Sequence, residues 1–111
     1  TAVVVDGDGV AGPLPMQLTA FGLAGCMSID VISILQKGRH PVSGLRVSLS
    51  GERLPEPPRR FRSIALRFHV TGAVPAEAVE RAIALSHEKY CSVWHSMRQD
   101  IEFTTSYDIR P

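Results

Sequence analysis

Apolar and polar positions follow two different periods along this chain. Ala2-Val3-Val4-Val5, rich in β-branched residues, runs into Asp6-Gly7-Asp8-Gly9, the pattern of a short strand ending in a turn. After Gly12, Pro13 and Pro15, the segment Met16 to Lys37 places Leu18, Phe21, Leu23, Met27, Ile29, Val31, Ile32, Ile34 and Leu35 on every side of a helix, and Gly38 stops it. A helix apolar all round is either a buried central helix or a membrane span. Gln17, Ser28, Asp30 and Ser33 interrupt the run, and a charge inside a bilayer is costly, so the pattern predicts a buried central helix and no membrane partner.

The period then changes to two. Leu45, Val47 and Leu49 alternate with Arg46, Ser48 and Ser50, and Ile64, Leu66, Phe68 and Val70 alternate with Ala65, Arg67 and His69, giving two strands with one wet face each. Between them the prolines of Pro55 to Pro58 predict an exposed, irregular connector. Pro75 suits the first turn of a second helix, with Glu77 and Glu80 near its positive end and Val79, Ile83 and Leu85 on its apolar side, running to about Lys89. Ser92 to Gln99 fits a further short helix with Ser92 as N-cap. A last strand sets Ile101, Phe103, Thr105, Tyr107 and Ile109 against Glu102, Thr104, Ser106, Asp108 and Arg110.

The order predicts an α+β fold in which a long buried central helix packs on an antiparallel sheet. One small sheet covers only one side of such a helix, and the uncovered side needs a partner. A homodimer is the natural remedy.

Composition narrows the class. The 111 residues suit a single domain, residues 1–111, and 44% hydrophobic content, 21% charge and a net charge of +1 describe a globular chain with no basic surface for nucleic acid. Thr1 stands where an initiator methionine is absent, so a processed or cropped chain is expected, and no export signal is visible. The expected compartment is therefore the cytoplasm, where two cysteines are free, catalytic or metal-binding sooner than a permanent staple.

Those cysteines are the candidate chemistry. Cys26 sits in Gly22-Leu23-Ala24-Gly25-Cys26, where each glycine costs the helix about 1 kcal/mol relative to alanine. Small residues there admit another backbone or a substrate and leave the thiol reachable; the alternative is a small buried hydrophobe. Cys91, in Glu88-Lys89-Tyr90-Cys91-Ser92-Val93, would be a reactive thiolate if the short helix begins there, through exposed amides and Lys89, or else an interior cysteine at a tight junction. Asp30, one turn beyond Cys26, would raise the thiol's pKa, which argues for a structural tie to a basic or backbone donor. The histidines are His40, His69, His87 and His95. A zinc site from Cys26, Cys91, His87 and His95 has suitable ligand types but none of the compact spacings, so no metal and no cofactor is assigned.

Pro15-Met16-Gln17-Leu18, then Gly25-Cys26, then Ile29-Asp30-Val31-Ile32-Ser33-Ile34-Leu35-Gln36-Lys37, and finally Leu85-Ser86-His87-Glu88-Lys89-Tyr90-Cys91-Ser92-Val93 resemble the OsmC/Ohr family, in the right order from Pro13 onward. They look most like its OsmC-like branch. The resemblance implies an intertwined homodimer with the long helices packed centrally. It also implies a peroxidase cycle, with Cys26 attacking an organic hydroperoxide and Cys91 resolving the sulfenic acid to a disulfide, which a small dithiol or lipoyl-type reductant resets.

The departures from the family are specific. Met16 occupies the position of the glutamate that organises the thiolate in Ohr enzymes, and Gln17 follows where many OsmC-like members carry an acid. The resemblance places the family's arginine in N-terminal strands, part of which residues 1–111 are expected to lack, so no residue here is assigned to it. Weak peroxidase turnover is therefore expected. The alternative function is a non-peroxidatic, small-ligand-binding or stress-related protein on the same fold.

Overall fold

The structure is a computed structural model describing residues 2–111. Helix α1 spans Pro15–Lys37, strand β1 Val42–Arg53, strand β2 Phe61–Gly72, helix α2 Ala76–Leu85, helix α3 Ser92–His95 and strand β3 Glu102–Arg110. A π-helical turn, Ser86–Tyr90, follows α2 directly.

Pro15 starts α1, its fixed φ suiting the first turn, and the Gln17 side chain reaches back to accept the Leu14 N–H at 2.9 Å. The buried stripe is Ala20, Leu23, Ala24, Met27, Val31 and Leu35, at the three- and four-residue spacing of one helix face. By length and composition alone α1 would pass as a membrane span. Here its stripe packs with β2 and α2 side chains in one cluster. The other side is uncovered, with Leu18, Phe21 and Ile29 37, 51 and 72% exposed. The predicted complete burial of the helix thus holds for one stripe within this chain.

The sheet has the order β1-β2-β3. β1 and β2 are antiparallel, with Val47 opposite Phe68 and Leu49 opposite Leu66. β2 and β3 are parallel, with Phe68 opposite Tyr107. The expected antiparallel sheet is therefore mixed. The helical crossover returns the chain to the end at which β2 began, and a strand entered from there runs parallel to it. β2 is central, and the predicted alternation is carried through: Ile64, Leu66, Phe68 and Val70 are at most 1% exposed.

Two predicted elements change. Ala2 to Val5 forms no strand: it pairs with neither edge of the sheet, and Val3, Val4 and Val5 stay exposed. Asp6 instead organises the following turn. It accepts from the N–H groups of Ala11, Asp8 and Val10, which hold its carboxyl below the usual value. The second helix is α-helical only to Leu85, and its last stretch widens into the π-helical turn.

Candidate thiol site

Cys26 projects from the middle of α1, and Cys91 stands between the π-helical turn and α3. Both are free thiols. The two sulfurs and a carboxylate oxygen of Asp30 lie within 4.8 Å of one another. The candidate cysteines of the sequence are thus neighbours, across 65 residues of chain.

The π-helical turn makes this meeting. With the turn widened, the Cys91 N–H donates to the Ser86 carbonyl at 2.8 Å, and the Ser86 hydroxyl donates to Asp30 Oδ2 at 2.8 Å. Ser86 is fully buried, so this bond fastens the turn to α1. The tie expected for Asp30 exists, but its partner is a hydroxyl, neither a basic side chain nor a backbone donor.

Ser92 does not cap α3 as predicted. Cys91 does, its sulfur accepting the Trp94 N–H at 3.4 Å. The helix also ends sooner than Gln99, whose side-chain amide folds back onto the carbonyls of Trp94 and Met97 at 3.0 and 2.9 Å. Lys89 lies over the Tyr90 ring, 5.3 Å from its centroid.

The two thiols are perturbed in opposite senses. Burial pushes Cys26 up, but the Val93 N–H, the Cys91 thiol and the Ser92 hydroxyl outweigh it, leaving the Cys26 pKa below that of an ordinary thiol. The Asp30 charge works against this lowering, in the sense its position predicted. Ser92 Oγ stands 4.0 Å from the Cys26 sulfur. Cys91 is fully buried, and burial, with the neighbouring Cys26 adding to it, pushes its thiol up to about 11 despite the Trp94 N–H. The reactive-thiolate reading of Cys91 is therefore overturned by desolvation. Support for Cys26 comes from groups that its sequence context does not reveal: the Val93 amide, Ser92 and Cys91.

Other candidates stay apart. The His87 ring packs against Trp94 and Phe103 at centroid distances of 5.2 and 5.0 Å, and His95 Nε2 lies 3.1 Å from the His87 carbonyl oxygen. The Cys26, Cys91, His87 and His95 set does not assemble. Met16 packs against the core, and Gln17 caps α1. Within this chain nothing comes within 4 Å of where a Cβ would stand on Gly22 or Gly25, so the thiol borders open space on that side. Beside it runs a groove of about 500 Å³ lined by Asp30, Ile34, Lys37, Arg81, Leu85 and Tyr90.

The family described as OsmC-like protein matches residues 6–106. The chain belongs to the OsmC-like family. Protein YhfA of Escherichia coli strain K12 is 44% identical to this OsmC-like chain over 109 residues, covering 96% of it and 81% of YhfA. A hypothetical protein from Aquifex aeolicus VF5, 31% identical, superposes with a TM-score of 0.86 over 91% of this chain and 76% of its own. An organic hydroperoxide resistance protein OsmC from Legionella pneumophila shares the fold at a TM-score of 0.72 and 21% identity, covering 89% of this chain and 72% of that one. The α+β architecture with its mixed sheet is thus that of solved OsmC structures.

Proposed function

We propose that this OsmC-like protein is a thiol-dependent redox protein that reduces organic hydroperoxides, with Cys26 as the attacking thiol and Cys91 as the resolving one. The observation that carries the reading is the opposite perturbation of two neighbouring sulfurs: the half-buried Cys26 is lowered, while the fully buried Cys91 is raised to about 11. The thiolate is the nucleophile, and the reachable sulfur is the more acidic one. Its support comes from the Val93 amide, Ser92 and Cys91, in place of the acid absent at Met16 and Gln17.

In the first step the Cys26 thiolate attacks the terminal oxygen of R–O–OH. An S–O bond forms, the O–O bond breaks, and the alkoxide leaves as the alcohol after taking a proton, so that Cys26 becomes a sulfenic acid. The Cys91 sulfur then attacks the Cys26 sulfur; the S–S bond forms, the S–O bond breaks, and the hydroxyl leaves as water with the proton Cys91 gave up. A small dithiol or lipoyl-type reductant returns two electrons by thiol–disulfide exchange. The cytoplasm suits such a cycle, since free thiols persist there.

A homodimer completes the reading. A second copy on the uncovered side of α1 would bury Leu18, Phe21 and Ile29 and close over the open space beside Gly22 and Gly25. Light scattering after size exclusion should give twice the chain mass, and a stable monomer at micromolar concentration would count against it.

Stopped-flow mixing with an alkyl hydroperoxide and a dithiol tests the chemistry. The native protein should consume the hydroperoxide and Cys26→Ser should not; an inert native protein sinks the reading. The groove favours a different function, a small-ligand-binding protein without peroxide chemistry. Ligand affinity unchanged by Cys26→Ser and Cys91→Ser, with no turnover, would favour it.

A further inference from the structure

The resolving step contains a proton problem. Cys91 must lose its proton to attack, and the hydroxyl leaving Cys26 must gain one. Burial holds the Cys91 thiol above an ordinary one, so little of it ionises unaided at neutral pH. We infer that Asp30 is the proton carrier of the resolving step, accepting the Cys91 proton as the S–S bond forms and passing it to the hydroxyl that leaves Cys26. This rests on the two-cysteine cycle proposed above.

Position singles out Asp30. It is the carboxylate whose oxygen lies within 4.8 Å of both sulfurs, a gap that one bridging water or a small side-chain swing closes. Ser86 donates to Oδ2 at 2.8 Å and so fixes the side chain, and a carboxylate has lone pairs left on its two oxygens to take the proton. The other groups around the thiols do not serve. Ser92 is a hydroxyl, and His87 and His95 are engaged elsewhere. Lys37 of α1, Arg81 of α2 and Tyr90 of the π-helical turn share with Asp30 a groove that neither cysteine lines.

The assignment also accounts for a cost. In the first step the Asp30 charge opposes ionisation of Cys26, so a carboxylate here hinders attack on the peroxide. A negative charge beside the sulfurs is a handicap in that step, and in the next it is what accepts a proton. The atoms balance: Cys91 S–H and Cys26 S–OH become S–S and water, and Asp30 ends as it began.

Rapid-quench measurement of disulfide formation in the whole protein, started from the Cys26 sulfenic acid, tests this. In the native protein the rate should stay flat through the neutral range, because the proton has an acceptor other than solvent hydroxide. Asp30→Asn keeps the size and an oxygen for Ser86, yet should slow the step about 100-fold and let sulfenic acid accumulate for capture by dimedone. Its rate should climb about tenfold per pH unit, because Cys91 then has to ionise alone. Asp30→Glu should recover part of the rate. A merely structural Asp30 would leave the Asn variant with the native rate and profile, which overturns the inference alone. A native rate that itself climbs tenfold per unit does the same without any variant. A native protein that forms no sulfenic acid overturns the redox reading as well.

Discussion

On the outer face of the sheet, Ser48 Oγ lies 2.8 Å from His69 Nε2 and His69 Nδ1 lies 2.7 Å from Asp108 Oδ2, which also accepts from Arg67 Nε at 3.1 Å. At the junction of α1 and α3, two thiols and a carboxylate meet, each bonded to a neighbouring serine or backbone amide and with no such chain linking the three. The sheet cluster has the residue types of a hydrolytic charge line, and the thiol cluster is sparse beside it. Backbone placement reverses their promise. The amides of β1, β2 and β3 lie in the plane of the sheet, so none points at the space above Ser48 where an oxyanion would develop. At the junction the helical winding breaks, and the Val93 amide is free to face the Cys26 sulfur. A regular sheet makes Ser48, His69 and Asp108 a cross-strand tie; an interrupted helix leaves an amide to face a sulfur.

The contrast can be broken most directly by exchanging activity between the regions. Cys26→Ser should abolish hydroperoxide consumption in the stopped-flow assay, whereas Ser48→Ala should leave it unchanged; the opposite pattern would move the chemistry to the sheet. Within the thiol site, timed alkylation with iodoacetamide read by peptide mass spectrometry should label Cys26 more than about 100-fold faster than Cys91. Cys26 falls below the ordinary 9.0 and Cys91 rises to about 11, and burial slows Cys91 further.

Stability sharpens the same comparison. Phe68→Ala empties the centre of the core and should cost about 3–5 kcal/mol in urea unfolding, and Ser86→Ala, which strips Asp30 of its buried donor, about 1–3 kcal/mol. On the outer face Ser48→Ala should stay within about 0.5 kcal/mol. The pH dependence is smaller again. Cys91 holds its proton more tightly folded than unfolded, so its contribution is complete below the unfolded value near 9.0 and is lost as pH rises toward about 11. Melting of the reduced protein should fall over that window, and less steeply in Cys91→Ala. The least effect belongs to exposed Asp100, which Arg98 holds down at about 2. Its contribution is present above 3.8 and lost as pH falls toward 2, a loss that Arg98→Ala should remove from an acid titration.

Much of the fold was legible because burial writes its period into the residues. The long helix and the alternation of Ile64, Leu66, Phe68 and Val70 are read directly from apolar spacing, whereas which side of the helix is buried within the chain is not, since apolar residues lie all round it. The direction of β3 was not legible, since alternation is the same in a parallel and an antiparallel strand and the crossover decides between them. Ala2 to Val5 misled for a related reason: β-branched residues favour a strand but do not supply its neighbour.

At the site, Cys26 and Cys91 stood out through the segments that resemble the OsmC-like family, and their proximity follows that resemblance. The rest is long-range or carried by the backbone. The Asp30–Ser86 bond spans 56 residues, and the amide that helps Cys26 belongs to Val93, whose side chain announces nothing. The π-helical winding of Ser86–Tyr90, which seats Cys91, has no signature in apolar spacing.

One measurement bears on the central claim without intermediaries: mass-spectrometric mapping of the reduced, full chain after one equivalent of an alkyl hydroperoxide. An intrachain Cys26–Cys91 disulfide is expected as the main product, and in Cys91→Ser a sulfenic acid confined to Cys26. Thiols left reduced, or oxidation that begins at Cys91, would contradict it.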